Sequence, residues 1–189
     1  MSECTVDDCT RKPHARGLCS THYGRKLRTG TTDYTPPTLE DRFFQKVLKT
    51  STCWLWQAYI TPNGYGQIGD GYDVKQAHRA SYEMFKGPIP EGMFIDHICH
   101  VRHCVRPEHL RLVTNKQNLE NRAGPPSNNT SGYRGVSWSK SNKGWIGQLK
   151  HHGEHFHLGT FRTPEEANAV VVAKRLELYT HNDLDRRAA

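Results

Sequence analysis

Side chains suited to metal-dependent hydrolysis are concentrated between Asp96 and Asn118. His97 carries an imidazole that titrates near neutral pH, so it can accept a proton from water as a general base. Asp96 and Asn118 offer the oxygen ligands that Mg²⁺ prefers, and such an ion can stabilise the charge that develops when water attacks a phosphodiester. The stretch therefore predicts a site for phosphodiester hydrolysis. A structural alternative is that Asp96 caps a turn and His97 packs in a core.

Four residues in and before the same stretch have the spacing of a structural zinc site: Cys53, Cys99, Cys104 and His109. The Cys-x4-Cys-x4-His pattern supplies three ligands, and the isolated upstream cysteine is the natural fourth ligand of a tetrahedral ion. His100 and His103 are alternatives to the histidine ligand, although both would crowd the thiolates beside them. We predict a zinc site that stabilises the fold around His97.

A second set of zinc ligands lies near the start of the chain: Cys4, Cys9, Cys19 and His22. Two close pairs separated by a loop suit tetrahedral zinc, and four protein ligands leave no open position for catalysis. His14 is the alternative histidine ligand. The two sites use all six cysteines, so we expect reduced thiolates rather than disulfides. The basic residues that follow, Arg25, Lys26 and Arg28, either contact phosphate or form a solvated helix face.

Composition limits the class of protein. Only 35% of the 189 residues are hydrophobic, which favours small metal-stabilised modules over one large core. Lys and Arg number 26 against 19 acidic residues, and the net charge of +7 favours a polyanionic partner, nucleic acid before a membrane surface. No apolar run approaches the roughly 20 residues of a membrane span, and the start of the chain does not resemble a signal peptide. We therefore expect a cytoplasmic protein without a membrane partner.

The elements that must position these residues divide the chain into five segments. They are a zinc knuckle at 1–30, a linker at 31–49 that includes a short helix around 42–49, the core at 50–122, a second linker at 123–131, and a last module at 132–180.

Within the core, the pattern predicts short strands and helices around the candidate site. The strands are expected at 54–56, 64–68 and 94–96, and the helices at 77–85 and 115–121. The strand at 94–96 would present His97, and Thr114 would cap the final helix.

Three runs of alternating apolar and polar residues in the last module predict a three-stranded antiparallel sheet: 133–140, 144–150 and 155–161. Thr163 and Pro164 then open a helix with an N-cap, a proline at its first position and acidic residues in its first turn. The apolar residues that would pack this helix on the sheet are Ala167, Val170, Val171 and Leu178.

The motifs of the core resemble the HNH endonuclease family, and the zinc ligands resemble its His-Cys-box branch of homing endonucleases. The motifs are Asp96-His97, Cys99, Cys104, Pro107-Glu108-His109-Leu110, Val113-Thr114 and Asn118, preceded by Cys53-Trp54-Leu55-Trp56, Gly64-Tyr65-Gly66 and His78-Arg79. The resemblance covers residues 50–122 and implies a ββα-metal fold, with His97 as general base and Asn118 and Asp96 as metal ligands. Arg79 would then steady the scissile phosphate or lie exposed on a helix, and His78 would orient it or fill the core.

The chain departs from that family in two ways. The zinc knuckle occupies the place of the family's middle asparagine, and no cysteine follows Cys104. The second zinc site of the His-Cys-box enzymes, and the swapped-tail dimer associated with it, therefore do not carry over. Both a monomer and a homodimer stay open.

The two outer modules resemble known binding modules. The first resembles the small zinc knuckles at the front of some phage endonucleases. The last resembles the Apetala-type (ethylene-response factor) DNA-binding domain, through Tyr133-Arg134-Gly135-Val136, Trp145 and Leu158-Gly159-Thr160-Phe161. In that family the sheet enters the major groove, and its open face contacts bases and backbone. The DNA-contacting candidates that this implies are Arg134, Trp138, Lys140, Trp145, Lys150 and Arg162. For Trp138 and Trp145 the alternative is a place in the core.

These observations lead to the hypothesis of an α+β nuclease of three modules: a zinc knuckle, a zinc-stabilised ββα-metal HNH core, and a three-stranded antiparallel sheet with a helix. The protein would use one catalytic Mg²⁺ and two structural Zn²⁺, and would nick or cut double-stranded DNA to leave 5′-phosphate and 3′-hydroxyl ends. If phage-encoded, it would act in the host cytoplasm. The alternative is a non-catalytic DNA-binding regulator. An RNA-binding protein is disfavoured because nothing resembles an aromatic RNA platform.

Overall fold

The computed structural model describes residues 3–33, 36–71 and 73–188. In this part, the chain forms six α-helices and nine β-strands, with the strands in small antiparallel sheets. The predicted α+β class is confirmed. The chain divides between Phe44 and Gln45 into two compact units, and each unit holds one of the predicted sets of zinc ligands. Every helix in the described residues is too short or too polar to span a bilayer.

The first unit contains α1 (Ser20–Thr29) and α2 (Leu39–Phe44). α1 begins directly after Cys19, which places His22 on its first turn. Gly30 ends α1 with a φ of 78°, a left-handed conformation that glycine adopts without steric cost. The small buried cluster of this unit consists of Cys4, Leu18 and Cys19.

Residues 42–49, where we expected a helix, are only partly helical. α2 starts earlier because Thr38 caps it: Thr38 Oγ1 accepts from the Asp41 N–H at 3.1 Å, and Asp41 Oδ2 accepts from the Thr38 N–H at 3.0 Å. The later part, Val47–Lys49, is a strand of the second unit. The predicted extent of the helix is therefore wrong.

The second unit is built from four small antiparallel sheets and four helices. The two-stranded sheets are β1 (Val47–Lys49) with β2 (Trp54–Trp56), β3 (Gln67–Asp70) with β4 (Asp73–Gln76), and β5 (Phe94–His97) with β6 (Leu110–Val113). The three-stranded sheet consists of β7 (Val136–Ser139), β8 (Gly144–His151) and β9 (Glu154–Phe161). The helices are α3 (Ala77–Lys86), α4 (Asn115–Glu120), α5 (Pro164–Leu178) and α6 (Asp183–Ala188).

Strands β5 and β6 and helix α4 form the ββα unit that carries the predicted chemistry. In the strand register, Asp96 lies opposite Arg111. Thr114 caps α4 in a reciprocal capping box with Gln117, as predicted, and so fixes where the helix that carries Asn118 begins. The buried side chains that pack α3 onto these strands are Tyr82, Ile95 and Leu110.

The last sheet and α5 appear in the predicted order. Thr163 and Glu166 form a capping box at the start of α5, with Pro164 at its first position. The helix lies so close to β8 that a Cβ added at Gly147 would come within 3.2 Å of the Ala167 carbonyl oxygen. This close approach identifies the face of the sheet that α5 covers.

The last module packs against α4 within the second unit. The Arg134 guanidinium donates to three carbonyl oxygens at the end of α4, those of Leu119 at 3.3 Å, Glu120 at 3.1 Å and Arg122 at 2.7 Å. The Glu120 carboxylate accepts from the N–H and the hydroxyl of Thr180, at 3.1 and 3.2 Å. Residues 123–131, expected to be a linker, therefore do not separate two compact units.

Candidate active site and metal centres

Strand β5 and helix α4 bring the three candidate catalytic residues to one cleft. Asp96 and His97 end β5, and Asn118 projects from α4 into the same cavity of about 450 Å³. In the sequence, a loop, a strand and a turn lie between His97 and Asn118. Because strand β6 runs back antiparallel to β5, it brings Asn118 close to Asp96 and His97 in space. The cleft thus combines an imidazole with two side chains that carry oxygen ligands.

His97 has the geometry of a base. It is only 6% exposed, and its Nε2 lies 3.0 Å from the Cys104 carbonyl oxygen. A carbonyl oxygen can only accept, so Nε2 carries the proton and Nδ1 keeps its lone pair. Burial lowers the pKa of His97 below its ordinary value, although the bond to the Cys104 carbonyl opposes this. The imidazole is therefore neutral near pH 7, with one nitrogen able to accept a proton.

The Asp96 carboxylate presents two different oxygens. Its Oδ2 accepts three hydrogen bonds, from Arg111 Nε at 3.0 Å, from Arg111 Nη2 at 2.8 Å and from Asn121 Nδ2 at 2.8 Å. No donor among the described residues lies on Oδ1, and the residue lines the cleft. The three bonds fix the orientation of the carboxylate and leave Oδ1 available as a ligand for a hard cation.

His78 and Arg79 do not join these residues at the cleft. His78 is 4% exposed and packs on His97, with 4.8 Å between ring centroids, and burial lowers its pKa to about 3. It is a neutral core histidine, which was the second of its two predicted roles. Arg79 follows it on α3, half-buried, and is not among the residues that line the cleft.

The structure brings the predicted core zinc ligands together: Cys53, Cys99, Cys104 and His109. Their ligand atoms all lie within 4.8 Å of one another, and His109 Nδ1 is 3.7 Å from Cys53 Sγ and 3.6 Å from Cys104 Sγ. Tetrahedral zinc, with bonds of about 2.3 Å to sulfur and about 2.0 Å to nitrogen, separates its ligand atoms by about 3.5–3.8 Å. The four groups therefore fit zinc. The alternative ligands, His100 and His103, lie outside this set.

The predicted N-terminal ligands also converge: Cys4, Cys9, Cys19 and His22. His22 Nδ1 lies 3.3 Å from Cys4 Sγ and 3.5 Å from Cys19 Sγ, again close to the edges of a zinc tetrahedron. The alternative ligand His14 instead stacks edge-on against Tyr23. All six cysteines lie in the described residues and none is in a disulfide.

Two arginines that the sequence did not single out also line the cleft. Arg102, on the loop between the core zinc ligands, donates to the Asn63 carbonyl oxygen at 2.9 Å, and its guanidinium lies over the Tyr65 ring. Arg122 follows α4 and is exposed. In a chain with 26 basic residues, neither position carries a distinguishing signal. Both put a positive charge beside Asp96 and His97.

The predicted DNA-contacting residues of the last module fall into two groups. Lys150 is exposed on the open face of the sheet, and Lys140 and Arg162 are exposed in the turns that follow β7 and β9. Lys150 alternates with Leu149, which is buried, and so points away from α5. These three cations are accessible to a polyanion.

The other three candidates lie elsewhere. Trp145 is two residues before Gly147 and therefore on the face that α5 covers, where it packs against the buried Val136 cluster. Trp138 pairs with it across the strands, edge-on at 5.3 Å, and is 48% exposed. Arg134 is occupied by the carbonyl oxygens at the end of α4. Trp145 therefore lies on the packed face of the sheet, as its core alternative expects, and the Arg134 guanidinium contacts the end of α4.

Comparison with known proteins adds an independent finding. Residues 75–120, which span α3 to α4, match the HNH endonuclease family. Protein 3.8 of Escherichia phage T7 is 36% identical over 108 residues, which cover 57% of this chain and 88% of that protein. Protein 7.7 of the same phage is 35% identical over 68 residues, 36% of this chain and 52% of its own length. The uncharacterized gene 5.3 protein of Enterobacteria phage T3 is 45% identical over 42 residues, 22% of this chain and 42% of that protein. No solved structure matches the chain.

Proposed function

Because the chain belongs to the phage protein family that includes Protein 3.8 of Escherichia phage T7 and carries an HNH endonuclease domain, we propose that it hydrolyses phosphodiester bonds of double-stranded DNA. The observation that carries the proposal is the arrangement of the cleft. The free Nδ1 of His97, the free Oδ1 of Asp96 and the Asn118 side chain share it. A base and two oxygen ligands beside one phosphate are what this reaction requires.

In the proposed reaction, His97 Nδ1 takes a proton from the attacking water. The Cys104 carbonyl oxygen, 3.0 Å from Nε2, stabilises the imidazolium that results and keeps the ring oriented. Asp96 Oδ1 and the Asn118 side-chain oxygen would hold a divalent cation such as Mg²⁺. When bound, that cation stabilises negative charge on the phosphate and on the leaving 3′ oxygen. The products would carry 5′-phosphate and 3′-hydroxyl ends.

The two zinc centres are proposed to be structural. Each set has three thiolates and one imidazole, so each would complete a tetrahedral shell without an open position. The core centre joins β2 to the loop after β5, through Cys53 and the two cysteines that follow His97. It would therefore keep the Cys104 carbonyl oxygen against the His97 ring. The N-terminal centre would stabilise the first unit.

DNA contacts are proposed on two surfaces of the second unit. Arg102 and Arg122 would contact phosphates beside the scissile bond, because guanidinium groups pair well with phosphate oxygens. Lys150, on the open face of the last sheet, would contact the duplex away from the cleft, with Lys140 and Arg162 at the turns. Since its relatives are phage proteins, we expect the protein to act in the cytoplasm of an infected cell.

Relaxation of a supercoiled plasmid by zinc-loaded protein tests the proposal. We expect nicking with Mg²⁺ and none with EDTA, and a loss of about 10²–10⁴-fold in His97→Ala because a general base is removed. His14→Ala is the matched control, since this exposed histidine lies outside both metal centres. Plasmid binding without cleavage in the wild type would instead favour a non-catalytic regulator. A His97→Ala rate equal to that of His14→Ala would remove His97 from the mechanism.

A further inference from the structure

Arg111 holds the carboxylate of Asp96 and at the same time pairs with a second carboxylate from the end of the chain. Its Nε and Nη2 donate to Asp96 Oδ2 at 3.0 and 2.8 Å. Its Nη1 donates to Asp183 Oδ1 at 3.3 Å, and its Nη2 contacts Asp183 Oδ2. One guanidinium therefore bridges the candidate metal ligand and the first residue of α6.

Asn121 closes these contacts into a ring. Its Nδ2 donates to Asp96 Oδ2 at 2.8 Å, and its Oδ1 accepts from the Asp183 backbone N–H at 3.0 Å. The side chains of Asp96, Arg111 and Asp183 are 9%, 24% and 17% exposed, so solvent screens their charges only in part. The ring connects α6 directly to the cleft.

The charges in this ring bear on cation binding. Arg111 orients Asp96, but a guanidinium at 2.8 Å also cancels the negative charge that a cation needs. Asp183 supplies a second negative charge on the adjacent edge of the guanidinium, formed by Nη1 and Nη2. With Asp183 the ring has one net negative charge, and without it the ring is neutral. Hard divalent cations bind anionic oxygen sites, so the difference favours binding when Asp183 is present.

We infer that Asp183 is a positioning residue of the metal site, which balances the charge of Arg111 so that Asp96 stays oriented while the ring keeps a net negative charge. The inference rests on the proposed role of Asp96 as a metal ligand. It makes α6 part of the nuclease centre, although α6 lies beyond the last residue that matches the HNH endonuclease family. Loss of α6 would then weaken cation binding even where the ββα unit stays folded.

The structure offers a matched control on the same helix. Asp185 also pairs with an arginine, accepting from Arg175 Nε at 2.7 Å and from Arg175 Nη2 at 3.0 Å. It contacts none of the four residues in the ring. Asp183→Asn and Asp185→Asn each remove one carboxylate charge of α6 and one ion pair, and they preserve side-chain size. Only the first alters the charge beside Asp96.

Binding of Mn²⁺ to zinc-loaded full-length protein, measured by electron paramagnetic resonance of the free ion, tests the inference. We expect Asp183→Asn to weaken Mn²⁺ binding about 10-fold, a typical effect of removing an outer partner of a metal ligand, and Asp185→Asn to keep the wild-type Kd. Zinc content and thermal unfolding, measured on the same samples, show whether each variant is folded when its Kd for Mn²⁺ is compared with that of the wild type. Should Asp183→Asn not fold, Asp183→Glu keeps the charge and should keep the wild-type Kd.

Three results would overturn the inference alone. They are a wild-type Kd in Asp183→Asn, equal weakening in Asp183→Asn and Asp185→Asn, and weakened binding in a folded Asp183→Glu. Asp96→Asn tests the proposed metal site separately. If the wild type binds no Mn²⁺, or if Asp96→Asn binds it as tightly as the wild type, the metal site itself fails and the role of Asp183 fails with it.

Discussion

Arg134 has two candidate roles, contact with DNA and support of α4, and the sequence alone does not distinguish them. Substitution of Arg134 tests which of the two it has. We expect Arg134→Met to destabilise the second unit, because it removes the donors to the carbonyl oxygens of Leu119, Glu120 and Arg122. Hydrogen bonds from a charged donor contribute about 1.5–3 kcal/mol each, but such bonds to one group are not additive. We therefore expect a loss of about 3–5 kcal/mol, since the methionine retains most of the packing of the arginine stem.

Thermal unfolding monitored by tryptophan fluorescence measures this loss in the second unit, which contains all four tryptophans. For a domain of about 150 residues, 1 kcal/mol lowers Tm by about 2–4 °C, so the expected decrease is about 6–20 °C. Arg162→Met is the control, because its exposed side chain makes no hydrogen bond in the described part of the chain. If Arg134→Met has the Tm of Arg162→Met but loses DNA affinity, Arg134 is a DNA contact and the role in supporting α4 is refuted.

Two further predictions concern zinc and the last sheet. Cys99→Ser should lower the zinc content from about two ions per chain to about one and abolish the native tryptophan signal, because structural zinc contributes folding free energy directly. Cys19→Ser should lose one zinc ion but keep that signal. Elemental analysis measures the zinc content and fluorescence measures the signal, and equal behaviour of the two variants would contradict the separate roles of the two zinc centres. Lys150→Ala should reduce the slope of log affinity against log salt by about 0.9, the value for one phosphate contact on duplex DNA. Titrations at several salt concentrations that return the wild-type slope would exclude Lys150 from the interface.

Local patterns predicted the elements well where short-range chemistry decides them. Thr114 and Thr163 each have a glutamine or glutamate three residues later, and both form the capping boxes that start α4 and α5. The exception, the expected helix at 42–49, failed because pairing with β2 overrides helix propensity at Val47–Lys49.

The alternation of apolar and polar residues along a strand identifies the two faces of a sheet, but it does not show which face a helix covers. Trp145 and Lys150 both fit the pattern of the DNA-contacting residues in the resembled family. The position of α5 against Gly147 decides that Trp145 is on the packed face and Lys150 on the open one. Because α5 starts well after β8 in the sequence, no short-range pattern around Trp145 indicates which face of the sheet the helix covers.

The sequence by itself identified both candidate sets of zinc ligands, because zinc prefers four cysteine and histidine side chains and the six cysteines with two histidines make two such sets, whose ligand atoms converge in the structure. It also determined His97, Asp96 and Asn118 as the candidate catalytic residues. Only the tertiary structure decided which atoms of those residues are free. The Cys104 carbonyl oxygen engages Nε2 of His97 and leaves Nδ1 able to accept a proton, and Arg111 with Asn121 engages Oδ2 of Asp96 and leaves Oδ1 able to bind a cation. Hydrogen bonds between side chains far apart in sequence depend on how the strands and helices pack, and spacing along the chain does not encode that packing.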